Sequence, residues 1–247
     1  MPGESSDIPR HLRTDLHLHS TFTDGKADVA TLAAEAAQKG FEIAISDHYS
    51  APYGMQGEIT LARYLDELGR HAVYRSVEVD LGREQDIAPV QRSRLDYCIT
   101  SLHMVLDDDG DRILPDRYSA TAMRHFMECA TRQYERGLHA SCASVVGHPT
   151  FLQDLPRAGQ DELWTPELRR RVIAAAVETG IALELSTRYS VPTETFVREA
   201  LAAGARFAVG SDGHRLEALG VIDYARRLSA NLEIPEDRFF LPARRLQ

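Results

Sequence analysis

A chain of 247 residues, 43% hydrophobic and 26% charged, can bury one sizeable core, and at this length a single α/β barrel is as natural as two domains. A formal net charge of −9 argues against the broad basic face that gripping nucleic acid requires, so no stable nucleic-acid complex is expected. No run approaches about 18 apolar residues and the opening MPGESSDIPRHLR has no apolar leader segment, so neither membrane insertion nor export is signalled and a cytoplasmic location is expected.

TDLHLH (14 to 19) reads as a first strand, and its His17 and His19 stand at i, i+2. Residues so spaced in a strand project from one face, where two imidazoles can share a metal ion. Asp24 follows in the loop. Asp28 can cap a helix carrying Val29, Leu32, Ala33 and Ala36 on its inner face; Gly40 stops it, and FEIAIS (41 to 46) follows as a buried strand delivering Asp47 and His48. AVYRSVEVDL (72 to 81) and LDYCITSLH (95 to 103) read as further strands that bring Glu78 and His103. The longest stretch outside this rhythm is 104 to 142, a polar loop and a helix expected from about Asp116 to Leu138. Its acidic run Asp107-Asp108-Asp109-Gly110-Asp111 has Tyr118 at the twelfth position, where a calcium loop needs a bidentate Glu, so it reads as a solvated turn.

ASVVGHP (143 to 149) is a fifth strand, ending in His148. Thr165 and Pro166 start a helix with Leu168, Val172, Ile173 and Ala176 inward; Gly180 ends it before IALELS (181 to 186), which delivers Glu184 and Ser186. Thr193 caps a third helix with Phe196, Val197, Ala200 and Leu201 inward, Gly204 closes it, and ARFAVGS (205 to 211) runs into Asp212-Gly213-His214. Seven strands alternating with helices predict a parallel sheet. Closure of the seven strands into a barrel is favoured over an open sheet, because only a barrel brings ligands at six or more strand ends to one point. No Pro/Gly/Ser-rich linker divides the chain, so one domain over 1 to 247 is expected, with its motifs between 14 and 229.

Six of the ten histidines fall at predicted strand ends; His11, His71, His125 and His139 do not and are given no role. The candidate ligands are His17, His19, Asp24, His48, Glu78, His103, His148, Asp212 and His214. Divalent transition metals take about four to six donors each, so this set implies two or three ions, with Glu78 the natural bridging carboxylate. Three carboxylates bring about −3 against about +6 from three dications, so the pocket should attract an anionic substrate. The three cysteines, Cys98, Cys129 and Cys142, lack paired metal or disulfide spacing and read as reduced small hydrophobes.

DLHLHS, TDG around Asp24, SDH (46 to 48), VEVD (77 to 80), DYCITSLH (96 to 103), GHP (147 to 149) and GSDGH (210 to 214) form an ordered set that resembles the polymerase and histidinol phosphatase (PHP) family. The resemblance runs from Asp15 to His214, and VEVD and DYCITSLH are most similar to the histidinol-phosphatase branch. It implies a distorted, TIM-barrel-like (β/α)7 barrel with a trinuclear site of zinc, manganese or iron that hydrolyses a small phosphorylated substrate, a hydroxide held between two ions attacking phosphorus in line. It further implies one ion on His17, His19, Glu78 and Asp212, a second on Glu78, His103 and His148, and a third on Asp24, His48 and His214. Glu78, Asp212 and His214 are then the catalytic positions. Asp15 and Asp47, beside ligands, either orient imidazole N–H groups or serve as caps or solvent-facing charges. Arg188, in the loop after strand six, is placed for a phosphate fork, with Arg83 and Arg215 as rivals and Ser186 as a further substrate contact.

Other readings stay open. A nucleotide phosphatase or a phosphodiesterase would use the same chemistry. Amidohydrolase barrels also open with H-x-H but often bridge their metals through a mid-barrel carboxylated lysine, and this chain has no lysine after Lys39. A metal-binding module without turnover would be expected to have lost ligands. No Gly-rich phosphate loop or G-x-S-x-G elbow supports a kinase or serine-nucleophile reading.

Overall fold

A computed structural model describes residues 8–49, 54–243 and 246. The first seven residues, part of the stretch read above for a leader, lie outside the described residues. Strands β1 Thr14–Asp15, β2 Glu42–Ile45, β3 Tyr74–Arg75, β4 Glu78–Asp80, β5 Ile99–Ser101, β6 Val145–Val146, β7 Ala182–Ser186 and β8 Phe207–Gly210 all pair in parallel, β1 with β2 and β2 with β3, then β4 through β8 in order.

The single strand expected over 72 to 81 is split into β3 and β4, and this is the barrel's main distortion. Ser76 N–H still donates to Ile45 O (3.1 Å) and Glu78 N–H to Asp47 O (3.1 Å), while Ile99 N–H donates to Val77 O (2.9 Å). The two halves therefore form one stave between β2 and β5. β1 and β8 close the ring: Leu16 N–H donates to Val209 O (2.9 Å), His19 N–H to Gly213 O (2.9 Å), and Leu18 bridges Gly213. Seven staves that close on themselves are the distorted (β/α) barrel expected from the sequence.

Among the described residues the helices are α1 Val29–Lys39, α2 Glu58–Leu68, α3 Pro89–Arg92, α4 Ala120–Ala140, α5 Gln160–Leu163, α6 Pro166–Thr179, α7 Glu194–Ala202 and α8 Asp223–Asn231. The caps read from sequence are formed: Asp28, Thr165 and Thr193 accept from the N–H groups of Thr31, Leu168 and Phe196. α4 begins later than expected. Asp116 spends its carboxylate on the Tyr118 N–H (2.9 Å), and Ser119 caps the helix by accepting from Ala122 N–H (3.1 Å). The acidic run is a turn, with Asp107 Oδ1 accepting from the N–H groups of Asp109 and Asp111.

Alternation along the strands sorts side chains into layers. Ala44, Ile99, Val145, Ala182 and Ala208 plug the barrel interior, while Leu183, Leu185 and Val209 point outward against Ile173 and Phe196 of the helical shell. Two residues further along the staves the inward layer turns polar: Ser101, Gly147, Glu184 and Gly210. A Cβ on Gly210 would collide with Glu184 and His17, and one on Gly147 with Ser101. These two glycines leave room for the polar layer above the plug.

Candidate metal centre

β1, β5, β6 and β8 stop short of where the sequence pattern extended them, and after β6 and β8 the chain turns sharply. His148 (φ 28°) and Asp212 (φ 52°) do so in the left-handed region, which L-residues adopt at a cost. Glu78, 1% exposed, sits at the centre. Its Oε2 faces His17 Nε2 at 3.3 Å, His19 Nε2 at 3.6 Å and His48 Nδ1 at 3.0 Å; its Oε1 faces His103 Nε2 at 3.3 Å and His148 Nε2 at 3.0 Å. Asp212 Oδ1 lies 3.3 Å from His19 Nε2, and Asp24, on the outer side, lies 3.0 Å from His214 Nε2 and 3.8 Å from His48 Nε2. All nine candidate ligands from the sequence thus converge on one place.

His17 Nε2, both nitrogens of His19, and His48 Nδ1 are buried without a hydrogen-bond partner, although carboxylate oxygens stand nearby. A buried polar atom left so costs about 1–3 kcal/mol, so four in one cluster signal a missing partner. Three of the four face Glu78 and the fourth, His19 Nδ1, faces Asp24, so lone pairs aimed at carboxylates fit cations. Three groups have donor atoms within 4.8 Å of one another: His19, Asp24, His48 and His214; His17, His19 and Asp212; His48, Glu78 and His103. These could hold metal ions, and they differ in detail from the sets implied by resemblance, since His19 joins the outer group and His48 joins Glu78 and His103.

A second layer orients the imidazoles. Glu184 Oε1 lies 2.8 Å from His17 Nδ1, and its Oε2 accepts the His148 backbone N–H; Asp80 Oδ1 lies 2.7 Å from His103 Nδ1. A carboxylate on Nδ1 holds a proton there and turns the unprotonated Nε2, with its lone pair, inward. Asp15 and Asp47 do neither of the things expected of them. Both are fully buried; Asp15 accepts from the N–H groups of His17, Ser211 and Gly220, and Asp47 from the N–H and hydroxyl of Ser20 and the hydroxyl of Thr23. They fix the loops that bear the candidate ligands through backbone and hydroxyl groups. Burial raises both carboxyls to about 6 against those hydrogen bonds.

Burial also opposes ionisation of Glu78, yet His17, His103 and His48 hold it well below the usual carboxylate range. Burial disfavours charge on His103, but Glu78 and Asp80 carry it up to about 10, whereas burial drives His19 down to about 3. The cluster's negative charge is therefore neutralised by protons on some imidazoles or, with those protons displaced, by cations.

A cavity of about 300 Å³ opens over the cluster, lined also by Phe151, Gln153, Arg188 and Tyr189. Arg188, its side chain 40% exposed, reaches Asp212 Oδ1 at 3.4 Å and contacts the His214 ring. Ser186 is fully buried, its hydroxyl without a partner, and the cavity wall does not include it. Arg83 pairs with Asp86 (2.6 Å) and lines a neighbouring depression with Asp80. Arg215 lines a second cavity of about 270 Å³ that shares Arg188, Asp212 and His214 with the first. The sequence reading missed Phe151, Gln153 and Tyr189; aromatics one to three residues from Arg188 and His148 were the available signal.

The other histidines lie outside the cluster: His11 stacks on Phe239, His71 meets Glu67, His125 meets Cys129, and His139 meets Glu178. Cys98 and Cys129 are buried, Cys142 is exposed, and all three are free. Among the described residues no helix is long and apolar enough to cross a membrane.

Over 225 residues the chain is 28% identical to the DNA polymerase/3'-5' exonuclease PolX of Bacillus subtilis (strain 168), covering 84% of this chain and 35% of that protein. It therefore spans about a third of the length of this curated relative. A crystal structure from Listeria monocytogenes, of a protein proposed there to be the histidinol phosphatase HisK, superposes with a TM-score of 0.63 at 19% identity, covering 84% of this chain and 97% of that one. That likeness is one of fold. Residues 15–188 match the PHP domain, and with the cluster built largely from that same stretch, the chain belongs to the PHP domain family, whose members are in general hydrolases.

Proposed function

We propose that this chain is a metal-dependent phosphoric ester hydrolase, a histidinol-phosphatase-like phosphomonoesterase. The observation that carries the reading is the set of buried imidazole nitrogens aimed at Glu78 without hydrogen-bond partners. Two or three zinc, manganese or iron ions would be held by His17, His19, Asp24, His48, Glu78, His103, Asp212 and His214, with His148, 3.0 Å from Glu78 Oε1, as a ninth donor. Such ions, when bound, supply Lewis acidity that activates water and neutralises phosphoryl oxygens.

The chain's own residues do the remaining work. Glu78 offers one oxygen to His17, His19 and His48 and the other to His103 and His148, the geometry of a bridging ligand. Asp212 and His214 stand at the cavity floor beside Arg188. Arg188 presents a planar fork to a phosphate, and of the four substrate contacts read from sequence it is the one that lines the cavity. Family membership supports hydrolysis, and a cavity at the small end of ligand pockets supports a small phosphorylated substrate.

The second reading, a nucleotide phosphatase or phosphodiesterase, is favoured by the exonuclease named in the Bacillus relative. A net charge of −9 and the small cavity weigh against a polymeric substrate. Metal-loaded protein assayed on histidinol phosphate, nucleoside monophosphates and bis-p-nitrophenyl phosphate separates them. Expected is monoester hydrolysis with kcat/KM at least about tenfold above the diester, abolished by chelator. The reverse order supports the second reading, and no turnover of any ester refutes both.

A further inference from the structure

One wall of the cavity takes no part in the metal cluster. Phe151, in the loop after β6, and Tyr189, in the loop after β7, stack face to face with centroids 3.7 Å apart and planes 13° from parallel. Both rings meet His148 edge-on, at 5.8 and 5.6 Å, and the Arg188 guanidinium lies 5.2 Å from the Tyr189 centroid. Three planar groups stand together beside the ligands. Both aromatic rings are only partly buried, so apolar surface faces a cavity otherwise floored by imidazoles and carboxylates.

The stack is braced from behind. Arg157 Nε donates to Tyr189 O at 2.9 Å and its Nη2 to Ser190 O at 3.3 Å, while Asp161 holds the guanidinium at 2.9 and 3.0 Å. On the other loop, Thr150 sits at φ 74° and its carbonyl accepts the Trp164 indole N–H at 2.8 Å. Two loops from neighbouring staves are thereby strapped into one rigid surface. Rigid, prearranged rings bind a flat ligand with little ordering cost.

We infer that Phe151 and Tyr189 form a specificity wall, positioned by Arg157, that receives the planar aromatic or heteroaromatic organic half of a phosphate ester. The inference rests on the phosphomonoesterase reading and names the substrate class it serves. With the phosphate at Arg188 and the cluster, a ring carried a few bonds away meets the wall, where offset or edge contacts and the nearby guanidinium favour a π-face. About 300 Å³ accommodates a phosphate and a small ring system.

Two non-hydrolysable probes, phenylphosphonate and methylphosphonate, test this by calorimetry on the zinc-loaded protein. The wild type should bind phenylphosphonate about tenfold more tightly than methylphosphonate, the scale of one good aromatic contact. Phe151→Leu and Tyr189→Leu should erase that preference and leave methylphosphonate affinity within about twofold, Arg157→Ala should shrink it, and Phe151→Tyr and Tyr189→Phe should keep it. No preference in the wild type, or equal loss of both probes in the Leu variants while the aromatic exchanges bind normally, would overturn the wall. If ring preference stands but no ester is hydrolysed, the hydrolase reading fails and the wall survives; hydrolysis without ring preference sinks the wall alone.

Discussion

Glu184→Gln changes one atom yet should disable His17, a proposed metal ligand that Glu184 touches only on the far side of its ring. Glu184 accepts twice: its Oε2 from the His148 backbone N–H and its Oε1, at 2.8 Å, from His17 Nδ1. Glutamine has one accepting oxygen and one NH2. The His148 amide can only donate, so the oxygen must face it and the NH2 must face His17 Nδ1. That nitrogen then has to accept, which moves the imidazole proton to Nε2, the atom aimed at Glu78 from 3.3 Å. A protonated Nε2 cannot ligate. Loss of an outer partner of this kind weakens metal binding by about 10–100-fold, and a buried hydrogen bond to a charged group contributes about 1.5–3 kcal/mol to folding. Competition with a chelator of known affinity should show the tightest-bound ion weakened by that factor, and denaturant unfolding of metal-free protein should show a loss of about 1–3 kcal/mol. Metal affinity within a factor of two of wild type, in a folded variant, would refute the tautomer argument.

Two further outcomes follow from the geometry. Arg188→Ala should raise KM for monoesters by about tenfold or more while changing folding stability by less than about 0.5 kcal/mol, because the side chain is partly exposed and its loss leaves no cavity in the core; steady-state kinetics with denaturant unfolding reads both. Gly210→Ala should destabilise by about 1–3 kcal/mol and loosen metal binding, because the added methyl group collides with Glu184 and displaces His17; unfolding midpoints and metal retention after dialysis check it.

The candidate ligands were legible because barrel geometry is written in short spacings. Histidines and carboxylates at the ends of apolar runs can converge only if the staves close, and the nine do. The three capped helices were equally plain, since Asp28, Thr165 and Thr193 each precede an apolar stripe. The break between β3 and β4 was not, because VYRSVEVD is suited to strand throughout and the interruption arises from how the third stave fits between its neighbours. The start of α4 was ambiguous for a different reason: Asp116 and Ser119 are both good caps, and the choice is made by Asp116 turning to Tyr118. Asp15 and Asp47 invite the guess that a carboxylate near a candidate ligand binds its ring, but Asp47, next to His48, faces the opposite way, and Asp15, two residues before His17, is taken up by the backbone N–H groups of His17, Ser211 and Gly220. The partners lie two residues off the ligand layer or on another stave, as Glu184 and Asp80 do. Phe151 and Tyr189 meet only after β6 and β7 pair, a contact that no local pattern encodes.

Metal stoichiometry decides the central claim most directly. After saturation with zinc or manganese and removal of free ion, mass spectrometry of the folded protein should find about two to three ions per chain, falling by at least about one in a His17→Ala/His19→Ala variant. Folded wild-type protein that retains less than about one ion per chain under those conditions would contradict the assignment of these buried imidazoles to cations.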